Sequence, residues 1–250
     1  MLKNLSLIAL LGIAVVGVPS ELSAKSVKVA GTQKGTAAKS ITRQVAQQNV
    51  TVEFYSPSIV RILKSDAGLG TPVQKKSYSV ILKPQQMKGV QIHENGDIVK
   101  INSGFISVEL NQQTGEIRFL SKDGKLLLTD TKTRLEARKD EANKGKYRIE
   151  QDFRLADDEA IYGLGQLRDV YMNQRGRQNI ELWNHNTYIA IPYFTSEKGY
   201  GLYWDNAGKT YFNDIVASKD NGNQPSCTSF TSEVGTVYYK HLTLPTIRLV

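Results

Sequence analysis

The sequence predicts an all-β protein, a β-sandwich of short antiparallel strands. Apolar and polar residues alternate in short runs, and turn-forming pairs recur at roughly strand-length spacing. No stretch keeps a 3.6-residue apolar period long enough for a core helix, so helix is expected to be scarce. A chain of 250 residues holds one large β-domain, or a domain with part of a second.

The N-terminus reads as an address. Lys3 supplies charge, Leu5–Val18 an apolar run too short to span a bilayer, and Leu22-Ser23-Ala24 a small-residue cleavage site. Pro19 and Glu21 interrupt the run and argue against a stable membrane anchor. Residues 1–24 are therefore expected to be a signal peptide, and the protein to be exported, either periplasmic or secreted. Residues 25–46, rich in Lys, Thr, Ala and Gln, read as a flexible leader.

The sandwich is expected over residues 47–239. Val50-Thr51-Val52-Glu53-Phe54 alternates as a half-buried strand must, and Pro57-Ser58 turns the chain into Ile59–Lys64. A Gly- and Pro-punctuated loop follows, then an expected strand Tyr78–Leu82 ended by Lys83-Pro84. Asn95-Gly96 writes a tight hairpin between Val90–Ile92 and Ile98–Ile101, because both turn residues tolerate positive φ. Phe105–Leu110, Glu116–Leu120, Leu126–Thr129 and Tyr147–Leu155 continue the series.

The formal charge is +8, but the basic residues are scattered rather than gathered in a stripe, so nucleic acid is not an expected partner. The lone Cys227 excludes an intrachain disulfide and a cysteine-based zinc site. His93, His185 and His241 stand far apart, so no metal cluster is expected.

Tyr162–Asn206 carries both tryptophans and half of the tyrosines, and includes Leu182-Trp183-Asn184-His185-Asn186-Thr187. Rings beside amides suit a sugar, whose C–H faces stack while its hydroxyls need donors and acceptors together. Composition alone favours the plainer alternative, an aromatic sandwich core with surface amides.

From Glu159-Ala160-Ile161-Tyr162-Gly163-Leu164-Gly165-Gln166 onward the chain resembles glycoside hydrolase family 31. The resemblance continues through Trp183-Asn184, Ile191-Pro192-Tyr193-Phe194 and Gly199-Tyr200-Gly201-Leu202. It implies a galactose-mutarotase-like sandwich that precedes a catalytic barrel, in a retaining α-glucosidase or α-xylosidase acting on α-linked oligosaccharides without cofactor. The catalytic aspartates would lie in that barrel, the sandwich's expected partner, so none is assigned here. The family's loop over the barrel mouth commonly reads Asn-Arg-Asp-Thr. By that likeness Asn186 stands for the sugar-binding Asp and His185 for the Arg, and an amide cannot supply the charge-assisted bond. Substrate contact is carried over to Asn186, His185 and Trp183. Trp183 is readable as a stacking platform or as core, with core favoured.

Gly163 and Gly165 read as turn or close-approach residues, and Arg168 at the third position excludes a dinucleotide fingerprint. Asp157-Asp158-Glu159 reads as a solvated turn, because neighbours on a strand point to opposite faces and cannot make a retaining carboxylate pair. Lys240–Val250 departs from the family pattern and is expected to be a truncation or junction product outside the domain. The sheet would then be left with an open edge. A non-catalytic carbohydrate-binding or periplasmic interaction domain is the alternative. A mutarotase-type enzyme is disfavoured by the scattered histidines.

Overall fold

The computed structural model describes residues 40–69, 77–86, 89–169, 171–217, 225–235 and 238–243. The expected signal peptide at 1–24 and most of the leader lie outside them. The strands are β1 (Ser40–Val45), β2 (Gln48–Ser56), β3 (Ile59–Asp66), β4 (Gln91–Asn95), β5 (Ile98–Asn102), β6 (Ile106–Asn111), β7 (Ile117–Ser121) and β8 (Leu126–Ala137). They continue with β9 (Tyr147–Arg154), β10 (Ile161–Gln166), β11 (Ile180–Leu182), β12 (Ile189–Ser196), β13 (Tyr200–Trp204), β14 (Thr210–Ile215), β15 (Cys227–Gly235) and β16 (Tyr238–Thr243). Among the described residues, helix is confined to two 3₁₀ turns, Ala67–Leu69 and Glu141–Asn143.

Two antiparallel sheets result, one of seven strands ordered β1-β2-β3-β16-β13-β12-β10 and one of nine ordered β11-β14-β15-β9-β8-β7-β6-β5-β4. Period-two burial, as in β14 and β9, turns one row of side chains of each strand inward. Phe194 and Trp204 of the smaller sheet meet Phe230 of the larger, with ring centroids 6.3 and 5.3 Å apart and near-parallel planes. The Trp204 indole N–H donates to Ser232 Oγ at 2.9 Å, which satisfies the polar atom that its burial would otherwise strand. Lys64 also crosses the interior, donating to Asp130 at 2.7 Å and to Thr133 at 2.9 Å. A buried ammonium is tolerable only with such partners.

The hairpin is present, but its two turn residues are Gly96 and Asp97: Asn95 stays in β4 paired with Ile98, and Gly96 takes the positive φ, 57°. Three expectations need correction. Ser40–Val45, placed in the leader, is a strand paired to β2 from Ser40↔Glu53 to Val45↔Gln48. Its two inward apolar residues, Ile41 and Val45, are too sparse to show a period, and its hairpin with β2 specifies it. Tyr78–Leu82 is not a strand, and Tyr78 and Ile81 are almost fully exposed. Ser77 Oγ accepts from the amides of Ser79 and Val80 at 3.2 and 2.9 Å, a local bond that competes with sheet pairing. Lys240–Thr243, assigned to a non-native tail, belong to β16, which pairs with both β3 and β13 inside the smaller sheet. The open edge expected there is filled, while residues 244–250 lie outside the described set.

Candidate functional site

The site is built where β10, β11 and β12 meet at one end of the sandwich. β10 reaches it through Tyr162-Gly163-Leu164-Gly165. Gly163 sits at φ 124° and Gly165 at φ 101°, with buried Leu164 at φ 69° between them. The register against β12 jumps from Gly163↔Phe194 to Gly165↔Ala190. The extra β12 residues form a bulge around Pro192, which has no amide to give a ladder. A Cβ on Gly165 would lie 2.0 Å from Ile189 O and 2.7 Å from Ile191 N. The motif's glycines thus let two backbones touch, as the sequence suggested.

Glu159 is not in a solvated turn. It is buried, and its carboxylate accepts from Ser196 Oγ and Tyr200 OH, both at 2.5 Å. Burial, then the Glu159 charge, pushes the Tyr200 hydroxyl well above its ordinary pKa. Asp157 and Asp158 are exposed, so the three carboxylates do not act together.

The segment after β10 is clamped onto β14. Asp214, fully buried, takes Arg175 Nη1 on Oδ1 and the Gly176 amide on Oδ2, both at 2.5 Å, while its own amide donates to Arg177 O at 2.7 Å. Arg177 is thereby fixed. It stacks over the Tyr171 ring at 4.3 Å and pairs with Asp169 at 2.5 Å. The Arg177 hydrogen bond holds the Asp169 carboxyl below its ordinary pKa, and Asp169 raises Arg177 in return.

The three residues assigned to substrate all lie in the exposed turn between β11 and β12. Trp183 is 41% exposed, so the core reading is wrong: β11 is an edge strand, and Trp183 follows its last paired residue. The Trp183 and His185 rings stack at 4.4 Å and 18°, and His185 and Tyr188 at 4.9 Å and 5°. Lys209 Nζ lies 5.0 Å from the ring centres of both Trp183 and Tyr211. The Trp183 indole N–H donates to Glu181 at 2.8 Å and keeps that carboxyl below its usual pKa. With His185 and Lys209 on its π-system, Trp183 is a strut of the turn more than a free platform. Asn184 Oδ1 accepts from the Ala190 amide at 2.7 Å and closes the base. Asn186 sits exposed at φ 47°, a left-handed position that Asn tolerates well.

The sequence reading missed Glu181, Tyr188, Lys209, Asp169 and Arg177. Glu181, Trp183 and His185 do carry a signal, since their two-residue spacing puts them on one side of an extended chain. Lys209 carries none. Asp169, Arg177, Glu181, His185 and Tyr188 instead share a cavity of about 230 Å³ with Leu167, Gln178, Asn179 and Ile180. Among the described residues, no three of His, Cys, Asp and Glu converge to hold a metal.

A family model, the glycosyl hydrolase 31 N-terminal galactose mutarotase-like domain, matches residues 49–213. The chain is 29% identical over 172 residues to an α-xylosidase of Saccharolobus solfataricus, covering 65% of this chain and 23% of that protein. The crystal structure of a family 31 α-xylosidase from Xanthomonas citri superposes with a TM-score of 0.64 at 28% identity, over 71% of this chain and 19% of that one. A family 31 dextranase of Flavobacterium johnsoniae, complexed with glucose, gives 0.65 at 20% identity over 86% and 26%, a likeness of fold alone. The chain spans about a quarter of the length of the curated α-xylosidase it matches. With an antiparallel sandwich and a matching model over most of the sandwich, the chain belongs to glycosyl hydrolase family 31 through its N-terminal galactose mutarotase-like domain.

Proposed function

We propose that this chain is the N-terminal sandwich of an exported, retaining α-glycosidase acting on α-linked glucosides or xylosides. It packs on the catalytic barrel and lends the turn 183–188 to the substrate pocket. The observation that carries the reading is the turn itself, an exposed, internally braced loop with Asn186 at its outer end. Further support comes from Ile189, Ile191, Tyr171 and Met172, large apolar residues exposed near the same end of the sandwich and suited to cover by another domain. The buried carboxylates Glu53, Asp130 and Asp214 are each tied to Arg61, Lys64 and Arg175, which leaves them poor candidates for acid/base work. On this reading the chemistry belongs to the partner domain.

The test uses the full-length gene product. Asn186→Ala should lower kcat/KM on an aryl α-xyloside or α-glucoside about three- to tenfold, the value of one neutral hydrogen bond. The 250-residue chain alone should give no turnover. An unchanged kcat/KM would remove the turn from the pocket. Turnover by the isolated chain would mean that it holds its own acid and base.

A further inference from the structure

The turn that carries Asn186 is closed by an imidazole. The His185 ring stacks on the Trp183 indole at 4.4 Å and on the Tyr188 ring at 4.9 Å, nearly parallel to both. Its Nδ1 stands 3.1 Å from Trp183 O, while its own carbonyl accepts from the Tyr188 amide at 2.8 Å. Asn186 follows directly, at φ 47°. Whatever holds the His185 ring therefore also holds the residue from which Asn186 departs.

A carbonyl only accepts, so the contact with Trp183 O is a hydrogen bond only when Nδ1 carries a proton. The neutral ring has one N–H to place on either nitrogen, whereas the imidazolium has one on each. Positive charge also strengthens the ring stacks, because an aromatic face attracts a cation. The charged groups around the ring are Glu181 on β11, Lys209 just before β14, and Asp169 and Arg177, which share its cavity. Glu181 and Asp169 favour the imidazolium, and Lys209 and Arg177, each paired with one of them, offset that. The stacks and the Nδ1 bond are left to decide. All four neighbours keep their charge near neutral pH. The Trp183 indole holds Glu181, and Arg177 holds Asp169, below the usual carboxyl range; Tyr211 and Asp169 hold Lys209 and Arg177 above theirs. Imidazole is the side chain whose charge ordinarily changes between about pH 5 and 8.

We infer that protonation of His185 tightens this turn and thereby fixes the Asn186 amide. The protonated ring has its stacks strengthened and its Nδ1–H bond to Trp183 O in place. As pH rises from about 5 to about 8 the charge leaves. The ratio of closed to open turn then falls about two- to fivefold, the value of one exposed cation–π contact. This role differs from the substrate contact that the resemblance implies for His185. On the proposed function it makes His185 a positioning residue for turnover, acting through Asn186. The tightening itself does not rest on that function.

The test titrates the 250-residue chain from about pH 5 to about pH 8, following the Trp183 indole and Asn186 amide resonances beside the His185 ring signals. In the wild type all three should move together. His185→Phe keeps a stacking ring without a charge, so the Trp183 and Asn186 signals should stay flat. His185→Gln should flatten them as well, in a looser turn, and it keeps the test open if His185→Phe fails to fold. In the full-length product, the wild-type to His185→Phe ratio of kcat/KM on an aryl α-xyloside or α-glucoside should fall about two- to fivefold over the same range. The inference is overturned if Trp183 and Asn186 do not follow His185, or if they titrate unchanged in the variants. A turn that titrates while the kcat/KM ratio stays constant with pH would sink the turn's part in the pocket and leave the inference standing. A turn that does not titrate, while Asn186→Ala still lowers kcat/KM, would do the reverse.

Discussion

Gly165→Ala tests whether the Gly-Leu-Gly motif is about backbone contact. The new methyl would stand 2.0 Å from Ile189 O, 2.7 Å from Ile191 N and 3.1 Å from Ala190 Cα. All three are main-chain atoms of the paired strand and cannot swing aside as a side chain would. Overfilling of this kind costs about 1–3 kcal/mol. Holding an L-residue at φ 101° adds about 1–3 kcal/mol more. The expected loss is therefore about 2–6 kcal/mol, a large part of the roughly 5–15 kcal/mol that keeps a domain folded.

Gly176→Ala is the control. Gly176 also has positive φ, 74°, but a Cβ there would meet nothing within 4 Å, so only the backbone cost of about 1–2 kcal/mol applies. Urea unfolding of both variants, followed by fluorescence and circular dichroism, gives the difference directly. If Gly165→Ala and Gly176→Ala lie within about 0.5 kcal/mol of each other, the close-contact account of the motif is wrong.

Lys64→Met should cost about 3–5 kcal/mol by leaving Asp130 charged and buried, while Lys64→Met with Asp130→Leu should recover much of it; urea midpoints decide. Trp183→Ala should cost about 1 kcal/mol, the value of a ring stack and a cation contact at the surface. Trp204→Ala should instead cost about 3–5 kcal/mol, and equal losses would return Trp183 to the core. The Asp169–Arg177 pair gives an acid limb. Because the folded pKa of Asp169 is lowered, its contribution is complete above the unfolded value of about 4 and fades as pH falls through the folded one. Tyr171 ring shifts, read against Arg177 stacking, should move below about pH 4 in the wild type and not in Asp169→Asn.

The legible parts of this fold are those written locally. Gly96 fixes a hairpin by its ease at positive φ, and Gly163 and Gly165 announce close approach without naming the strand approached. β16 was not legible because its place between β3 and β13 is a matter of long-range pairing, on which its sequence is silent. Glu159 misled for the same reason: its partners Ser196 and Tyr200 arrive from a later hairpin. The turn shows both cases at once. Resemblance and composition pointed to Trp183, His185 and Asn186, yet the register Leu182↔Thr210 is what brings Lys209 to the Trp183 ring. With that ring braced by Lys209 and His185, stacking is already spent inside the turn.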